Sequence, residues 1–272
     1  MRQTRRIRES DFKDGARNMA VDSAIAQAVG SGVQPPTLRL YGWKPHCLSL
    51  GYGQRARDAD NEALRRRGWD LVRRPTGGKA ILHGDELTYS LCLPLDHPLA
   101  SGDIVASYRR ISVGLLRALD CLGLRATANP IDESASSEYA GPVCFLQPSH
   151  YEILFDGRKL VGSAQLRRKG VMLQHGTIPL HGDMARICDV LSFESAAERG
   201  EQKLRARQRA LTLSQALGRE PSWDEVAAAL ETGFADALGL DIVPGALSAA
   251  EEAETEAFVR DKFGNPGWTG KR

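Results

Sequence analysis

Residues 73–90, RRPTGGKAILHGDELTYS, concentrate side chains that could bind or activate a polar molecule. Two arginines, Arg73 and Arg74, precede a Pro-Thr-Gly-Gly turn, and such cations are typical of a site for a negatively charged or strongly polar group. Gly77 and Gly78 allow the backbone to approach a bound molecule closely, because glycine has no Cβ and adopts positive φ. A charged surface turn explains the same residues, so the stretch alone leaves both interpretations open.

Cys144 lies at the end of a polar loop and just before a predicted strand, in the segment GPVCFLQPSHYEI. A cysteine in this position is expected to be accessible, as a nucleophile must be. Free cysteines are more often small buried hydrophobic residues, so a packing role is the alternative. His83 and His150 are candidate bases for the thiol, but the sequence does not establish which of them comes within hydrogen-bond distance.

Two later segments carry a lysine and a histidine on predicted strands. In GRKLVGSAQ, Lys159 opens a strand on which Gly162, Ser163 and Ala164 leave room for a neighbour. A lysine beside a carbonyl group can donate a hydrogen bond to the oxygen on which charge develops. A solvated lysine in a hairpin is the alternative. In LQHGTI, His175 precedes a glycine on the next strand, where a structural role is the alternative to a functional one.

The elements that must position these residues follow no regular βαβ alternation. Strands are predicted at residues 37–43, 47–53, 69–73, 79–82, 87–93, 151–155, 159–166 and 171–180. Helices are predicted at residues 18–29, 58–68, 103–122 and 183–191 and after the capping boxes at 222–225 and 248–251. Asp156-Gly157 predicts a tight hairpin, and the charged residues 195–210 are predicted to be mobile. The pattern indicates an α+β fold, with mixed or antiparallel sheets and packed helices.

The composition is ordinary for a globular protein and singles out no partner. The 272 residues carry a net charge of only +2, which excludes a strongly basic or acidic chain. Five cysteines without CxxC spacing disfavour a zinc site and a disulfide framework and favour a reducing compartment. No apolar run approaches the ~20 residues that span a bilayer, so we predict a cytoplasmic protein without membrane contact. The arginine clusters lack interleaved aromatic residues, which disfavours nucleic acid as a partner.

Two long motifs occur in a characteristic order: RRPTGGKAILHGDELTYSL and then GRKLVGSAQLRRKGVMLQHGTIPL. They resemble those of the biotin/lipoate protein ligase and lipoyl/octanoyl transferase superfamily, and NMAVDSAI, YGWKPHCLSLGYGQ and KFGNPGW also fit. The resemblance covers residues 14–191 well and the helical tail, residues 211–272, loosely. It implies one catalytic domain over residues 1–272, with a biotin/lipoate ligase-like fold and no accessory domain.

The position of a cysteine separates the activities within this superfamily. Biotin and lipoate ligases activate a free acid with ATP, whereas octanoyltransferases take octanoate from acyl carrier protein through a cysteine thioester. The octanoyltransferase branch typified by Gram-positive bacteria carries its nucleophile in Cys-Phe-x-x-Pro-Ser-x-Tyr-Glu, which the segment CFLQPSHYE resembles from Cys144 onward. The other branch places its cysteine after the lysine, where only Cys188 could serve, in surroundings that do not resemble that site. The resemblance therefore implies that Cys144 and Lys159 are catalytic.

The implied reaction moves an octanoyl group from octanoyl-acyl carrier protein to a lysine of a lipoyl domain or of apo glycine cleavage H protein. It implies no cofactor and no metal, because the acyl group arrives activated. We expect Leu82, Val161 and Ala164 to line an acyl tunnel and the arginines of residues 65–79 to face the acidic carrier. The residues expected to bind substrate are Arg73, Arg74, Gly77, Gly78, Leu82, His83, Gly162, Ser163, Ala164 and His175. The alternatives are an ATP-dependent lipoate-protein ligase and a non-catalytic acyl-binding protein.

Overall fold

A mixed sheet of eight strands forms the centre of the described part of the chain. The computed structural model describes residues 3–130 and 151–272. The strands of this sheet, in spatial order, are β11 (Ile242–Pro244), β1 (Thr4–Arg8), β2 (Thr37–Tyr41), β6 (Glu86–Pro94), β10 (Val171–Pro179), β9 (Arg158–Arg168), β8 (Tyr151–Phe155) and β7 (Thr127–Pro130). A smaller sheet has the order β4 (Asp70–Arg73), β3 (Cys47–Leu50) and β5 (Ile81–His83). Both sheets combine parallel and antiparallel pairs, which confirms the predicted α+β class.

Helices cover both faces of the large sheet. In chain order they are α1 (Gly15–Gly30), α2 (Asn61–Arg67), α3 (Ile104–Cys121), α4 (Ala196–Arg209), α5 (Leu213–Leu217), α6 (Trp223–Leu238), α7 (Ala249–Phe258) and α8 (Pro266–Thr269). Helices α3 and α6 pack together on one face, and α1 packs with α7 on the other. Side chains of β6 alternate accordingly, because successive residues of a strand point to opposite faces: Leu91 joins the core under α3 and α6, and Cys92 the core under α1. None of the described helices is long and apolar enough to cross a membrane.

Residues 195–210 form helix α4, so the prediction of a mobile segment is wrong. Ser195 caps the helix by accepting a hydrogen bond from the backbone N–H of Glu198. The charged residues that suggested mobility, together with alanine and glutamine, are strong helix formers. Ala206 is buried in the cluster that contains Cys188 and Leu191, which anchors the helix. The neighbouring helix predicted at residues 183–191 is a shorter 3-10 segment, Met184–Asp189.

Two tight hairpins connect the strands β8, β9 and β10. Asp156 and Gly157 have φ values of 51° and 69°, so the predicted Asp-Gly hairpin is confirmed. Lys169 and Gly170 turn the next hairpin, with φ values of 49° and 79°. This second turn places Arg168 and Lys169 on the surface at the tip of the hairpin, where both side chains are exposed.

Candidate active site

A cavity of about 460 Å³ lies where strands from both sheets meet the ends of α1 and α3. The residues that line it are Met19, Tyr41, Trp43, Arg74, Gly77, Gly78, Lys79, Ile81, His83, Thr88, Ile104, Tyr108, Gly162, Ser163, Ala164, Gln165, His175, Gly176 and Thr177. Eight of the ten residues expected to bind substrate are among them, and the two that are not are Arg73 and Leu82. Segments about a hundred residues apart in the chain therefore meet around one space.

Arg73 forms hydrogen bonds with backbone carbonyl oxygens and is not among the residues that line the cavity. Its side chain is fully buried, and its guanidinium group donates to the carbonyl oxygens of Gly51 at 2.8 Å, Gln54 at 2.5 Å and Thr269 at 2.7 Å. The expectation that Arg73 binds substrate, or faces a carrier protein, is therefore corrected. An arginine serves here because its planar group presents several donors to separate acceptors.

Arg74 lines the cavity and fixes the shape of the glycine turn. Its guanidinium group donates to the carbonyl oxygens of Gly77 at 2.8 Å and Lys79 at 2.7 Å. Gly78 has a φ of 92°, which favours glycine, and a Cβ on Gly51 would lie 1.9 Å from the Gly78 carbonyl oxygen. The glycines therefore let the turn close on its neighbours. Arg74 is 2 % exposed, so it too cannot present its charge on the surface.

Leu82 and Val161 point away from the cavity, contrary to the expected acyl tunnel. Leu82 packs against the cluster formed by the small sheet and α2, whereas its neighbours Ile81 and His83 line the cavity. Val161 is buried in the main core beneath α3. Alternate residues of a strand face opposite sides, so a shift of one position exchanges the two faces. Ala164 lines the cavity as expected.

His175 connects the cavity wall to a buried ionic network under α1. Its Nε2 lies 2.7 Å from the Thr76 hydroxyl and its Nδ1 lies 3.3 Å from a carboxylate oxygen of Asp22. Burial lowers the pKa of His175 below its usual value, although the hydrogen bond and charge of Asp22 act in the opposite direction. The neutral ring can then donate from Nδ1 to Asp22 and accept at Nε2 from Thr76.

Asp22 stays ionised at the centre of that network. It accepts from Arg39 at 2.8 Å and from the Tyr41 hydroxyl at 2.9 Å, and all three side chains are buried. Burial raises the pKa of Asp22, but the hydrogen bond from His175 and the charge of Arg39 outweigh it and keep that pKa low. The sequence NMAVDSAI contains Asp22, but its pairing with a histidine 153 residues later gave no local signal.

His83 also lines the cavity and has a partner at each ring nitrogen. Nδ1 lies 2.7 Å from a carboxylate oxygen of Glu86, and Nε2 lies 2.8 Å from the Ser49 hydroxyl. The ring stacks on Trp43, with centroids 3.9 Å apart and planes 11° from parallel. The ring orientation is thus fixed by two hydrogen bonds and one stacking contact.

The strand pair β9–β10 packs tightly at Gly176, which lines the cavity. Ser163 faces Gly176 across the pair, and a Cβ on Gly176 would lie 2.6 Å from both Ser163 Oγ and Tyr89 Cε1. The Ser163 hydroxyl lies 2.8 Å from the Tyr89 hydroxyl. Burial raises the pKa of Tyr89 to about 12, so its hydroxyl remains protonated near neutral pH. Beside this wall the buried Thr177 hydroxyl has no hydrogen-bond partner among the described residues.

Lys159 is the second residue of β9, a strand that lines the cavity, but it is not among the described residues that line it. Its side chain is 2 % exposed, and Nζ donates to a carboxylate oxygen of Glu152 at 2.7 Å. Cys144 and His150 lie outside the described residues. The described residues contain no group of three or more His, Cys, Asp or Glu side chains that could hold a metal ion.

Sequence reasoning missed the part of the wall that comes from α1, β2 and α3. Met19, Tyr41, Ile104 and Tyr108 line the cavity, but the sequence analysis assigned none of them to the site. Trp43 could have been assigned to the site, because it lies in the YGWKPHC segment, which resembles a motif of the superfamily. The apolar side chains of α3 predicted a helix packed on the core, but not that its first turns border a cavity.

Comparison with known proteins places the chain in a family. The model of the Lipoyl protein ligase A/B catalytic domain matches residues 14–235. The chain belongs to this family. Octanoyltransferase LipM of Kyrpidia tusciae is 44% identical over 98% of both chains. Octanoyltransferase LipM of Exiguobacterium sp. strain AT1b is 43% identical over 94% of both, and that of Bacillus anthracis is 35% identical over 94% of both. The superfamily inferred from the two long motifs is confirmed.

Solved structures of the family share the fold. A bi-partite lipoate protein ligase from Thermoplasma acidophilum aligns with a TM-score of 0.83, at 24% identity, over 99% of this chain and 97% of that one. Lipoate-protein ligase A bound with ATP aligns with a TM-score of 0.79, at 24% identity, over 98% of both chains. At this identity the likeness shows the fold alone. It confirms the predicted biotin/lipoate ligase-like architecture.

Proposed function

We propose that this protein is an N-octanoyltransferase of protein lipoylation, which moves an octanoyl group to a lysine of a lipoyl domain. The observation that carries the proposal is the identity of 35–44% with proteins named Octanoyltransferase LipM over nearly the whole chain. These relatives favour octanoyl transfer over an ATP-dependent ligase and over a non-catalytic acyl-binding protein. We place the activity in one catalytic domain over residues 1–272 and in the cytoplasm.

The cavity suits a linear acyl chain. Met19, Ile81, Ile104 and Ala164 give its wall an apolar surface, and Trp43 adds a ring. Each buried CH₂ group contributes about 0.8 kcal/mol, so a chain without polar groups can be bound mainly by burial. The volume of about 460 Å³ leaves room for an octanoyl chain and its thioester end.

We propose a two-step transfer through Cys144. The Cys144 thiolate attacks the thioester carbonyl of octanoyl-acyl carrier protein, a new C–S bond forms, the carrier's C–S bond breaks, and the carrier leaves as a thiolate that takes up a proton. The acceptor lysine amine then attacks the enzyme thioester, an amide bond forms, and the Cys144 thiol is regenerated with the proton that the amine loses. No ATP is consumed, because a thioester is already activated. The acceptor is a lipoyl domain or the glycine cleavage H protein.

Lys159 is proposed to bind the acyl carbonyl oxygen during both steps. Its buried position on β9, three residues before Gly162, supports this role, and Glu152 holds the ammonium group in place. Gly77 and Gly78 line the cavity, and their backbone N–H groups are proposed to assist Lys159. His83 and His150 remain the candidates that accept the Cys144 proton, and the hydrogen bond with Glu86 fixes the orientation of the His83 ring.

An ATP-free transfer assay tests the proposed function. Enzyme, octanoyl-acyl carrier protein and an apo lipoyl domain are incubated without ATP, and octanoylation of the domain is measured by mass spectrometry. We expect transfer by the wild type and none above background by Cys144→Ala, with unchanged thermal unfolding of the variant. Transfer by Cys144→Ala that requires ATP and free octanoate or lipoate would instead identify a ligase.

A further inference from the structure

A second concavity, of about 660 Å³, lies beside the cavity and is lined by cations and apolar side chains. We call it the basic groove. Its walls are the C-terminal half of α1, the tip of the β9–β10 hairpin and the segment from Phe258 to Trp268. Arg168, Lys169 and Lys262 line it, and no carboxylate is among its lining residues. Lys271 approaches the same aromatic wall.

Aromatic rings, not carboxylates, contact Lys262 and Lys271. The Lys262 Nζ lies 4.4 Å from the ring centroid of Trp268, and the Lys271 Nζ lies 3.5 Å from the same centroid. A ring orients an ammonium group without neutralising its charge. Among the described residues, no acidic side chain forms an ion pair with Arg168, Lys169, Lys262 or Lys271. Burial and then the neighbouring cations Arg168, Lys271 and Lys169 lower the pKa of Lys262 to about 8, as expected where positive charges lie close together.

The groove and the cavity lie on either side of the glycine turn. Pro75 lines the groove, and Gly77, two residues later, lines the cavity. The indole N–H of Trp268 donates to the carbonyl oxygen of Arg73 at 2.8 Å, which anchors the aromatic wall to the same turn. A molecule bound in the groove would therefore lie next to the acyl site without covering it.

We propose that the basic groove docks the acidic surface of the protein that delivers the octanoyl group. This inference rests on the proposed function and identifies where its donor binds. Carboxylates of the donor would pair with Arg168 and Lys169 at the rim, and apolar side chains would contact Phe258 and Trp268. A donor that presents its acyl group on a long flexible arm can dock beside the cavity, whereas the short side chain of the acceptor lysine must approach the thioester directly. The position of the groove therefore favours the donor over the acceptor.

The test compares two donors and two charge-reversal variants. The donors are octanoyl-acyl carrier protein and octanoyl N-acetylcysteamine thioester, which has the acyl group without a protein surface. Arg168→Glu with Lys169→Glu reverses the groove, and Arg65→Glu with Arg66→Glu, on the exposed side of α2, is the matched control. For the groove variant we expect KM for the protein donor to rise about tenfold or more, with the small thioester unaffected. The control should behave as wild type with both donors.

Several outcomes would overturn the inference. Equal losses with both donors would assign the groove to the fold or the cavity, and a loss confined to the α2 variant would place the donor on α2. A change only in KM for the acceptor would make the groove an acceptor site. Failure of the wild type to transfer from either donor would refute the proposed function. In that case the inference is still tested by binding of the carrier protein to Cys144→Ala enzyme, measured by fluorescence anisotropy. The groove substitutions should weaken this binding, and the α2 substitutions should not.

Discussion

Arg73 and Arg74 lie inside the protein, whereas Arg168 and Lys169 lie on its surface at the tip of a hairpin. The inner pair donates to backbone carbonyl oxygens and shapes the turn beside the cavity. The outer pair has no acidic partner among the described residues and borders a groove. From the sequence, the inner pair is the more obvious binding motif. The comparison teaches that an arginine motif beside a glycine turn can build a site by holding the backbone around it in place.

The largest expected effect comes from the inner region. Arg73→Lys removes a planar group that bridges the carbonyl oxygens of Gly51, Gln54 and Thr269, and a single ammonium group cannot reach them all. We expect the free energy of unfolding to fall by about 3 kcal/mol, as measured by urea denaturation. Arg65→Lys, at an exposed position on α2, is the control and should change it by less than about 0.5 kcal/mol. If Arg73→Lys were as stable as the wild type, the claim that Arg73 stabilises the backbone around the glycine turn would be wrong.

Gly176→Ala tests whether the close packing of Ser163 and Tyr89 at the cavity wall shapes the acyl site. The added methyl group would lie 2.6 Å from Ser163 Oγ and Tyr89 Cε1. We expect the rate of acyl-enzyme formation to fall about tenfold or more, because overpacking of this kind costs about 1–3 kcal/mol. Combining it with Ser163→Ala should restore part of the rate, since one of the three atoms within 3.0 Å of the added methyl group is then absent. Normal kinetics in Gly176→Ala would place the acyl chain elsewhere.

The smallest expected effect is a pH dependence of stability that arises in the inner region and not in the groove. The folded-state pKa of His175 lies below its usual value of 6.5, so the unfolded chain binds the proton first as the pH falls. The stabilisation is therefore present above about pH 6.5 and is lost as the pH decreases toward the lower, folded-state pKa. We expect this part of the unfolding free energy to fall by less than about 1 kcal/mol between pH 7.5 and 5.5. The decrease should be smaller in His175→Gln and unchanged in the groove variant. An identical decrease in His175→Gln would show that His175 does not titrate in this way.

The fold was predictable where local chemistry determines it. Asp156-Gly157 predicted a hairpin because both residues accept positive φ, and the apolar stripe of α3 predicted a core helix. Predictions failed where tertiary contacts decide. Leu82 lies on a strand of three residues, too short for its alternation to show which face is buried. The high charge of residues 195–210 suggested a mobile segment, but the same residue types favour a helix, and α4 forms there.

The site was predictable as a set of motifs but not as a geometry. The turn, the Gly162–Ala164 segment and His175 were all identified, and the structure brings them around one cavity. The burial of Arg73 was not predictable, because arginine is rarely fully buried and its acceptors come from segments distant in the chain. The pairing of Asp22 with His175 and the aromatic wall around Trp268 depend on the same kind of long-range contact.

Intact-mass spectrometry of the enzyme after incubation with octanoyl-acyl carrier protein, without acceptor, tests the central claim most directly. The account predicts a mass increase equal to one octanoyl group on the wild type, its absence from Cys144→Ala, and its disappearance when an apo lipoyl domain is added. The groove variant should form the same adduct more slowly from the protein donor. A wild-type enzyme that transfers the octanoyl group without ever carrying this adduct, or an adduct that persists in Cys144→Ala, would contradict transfer through Cys144.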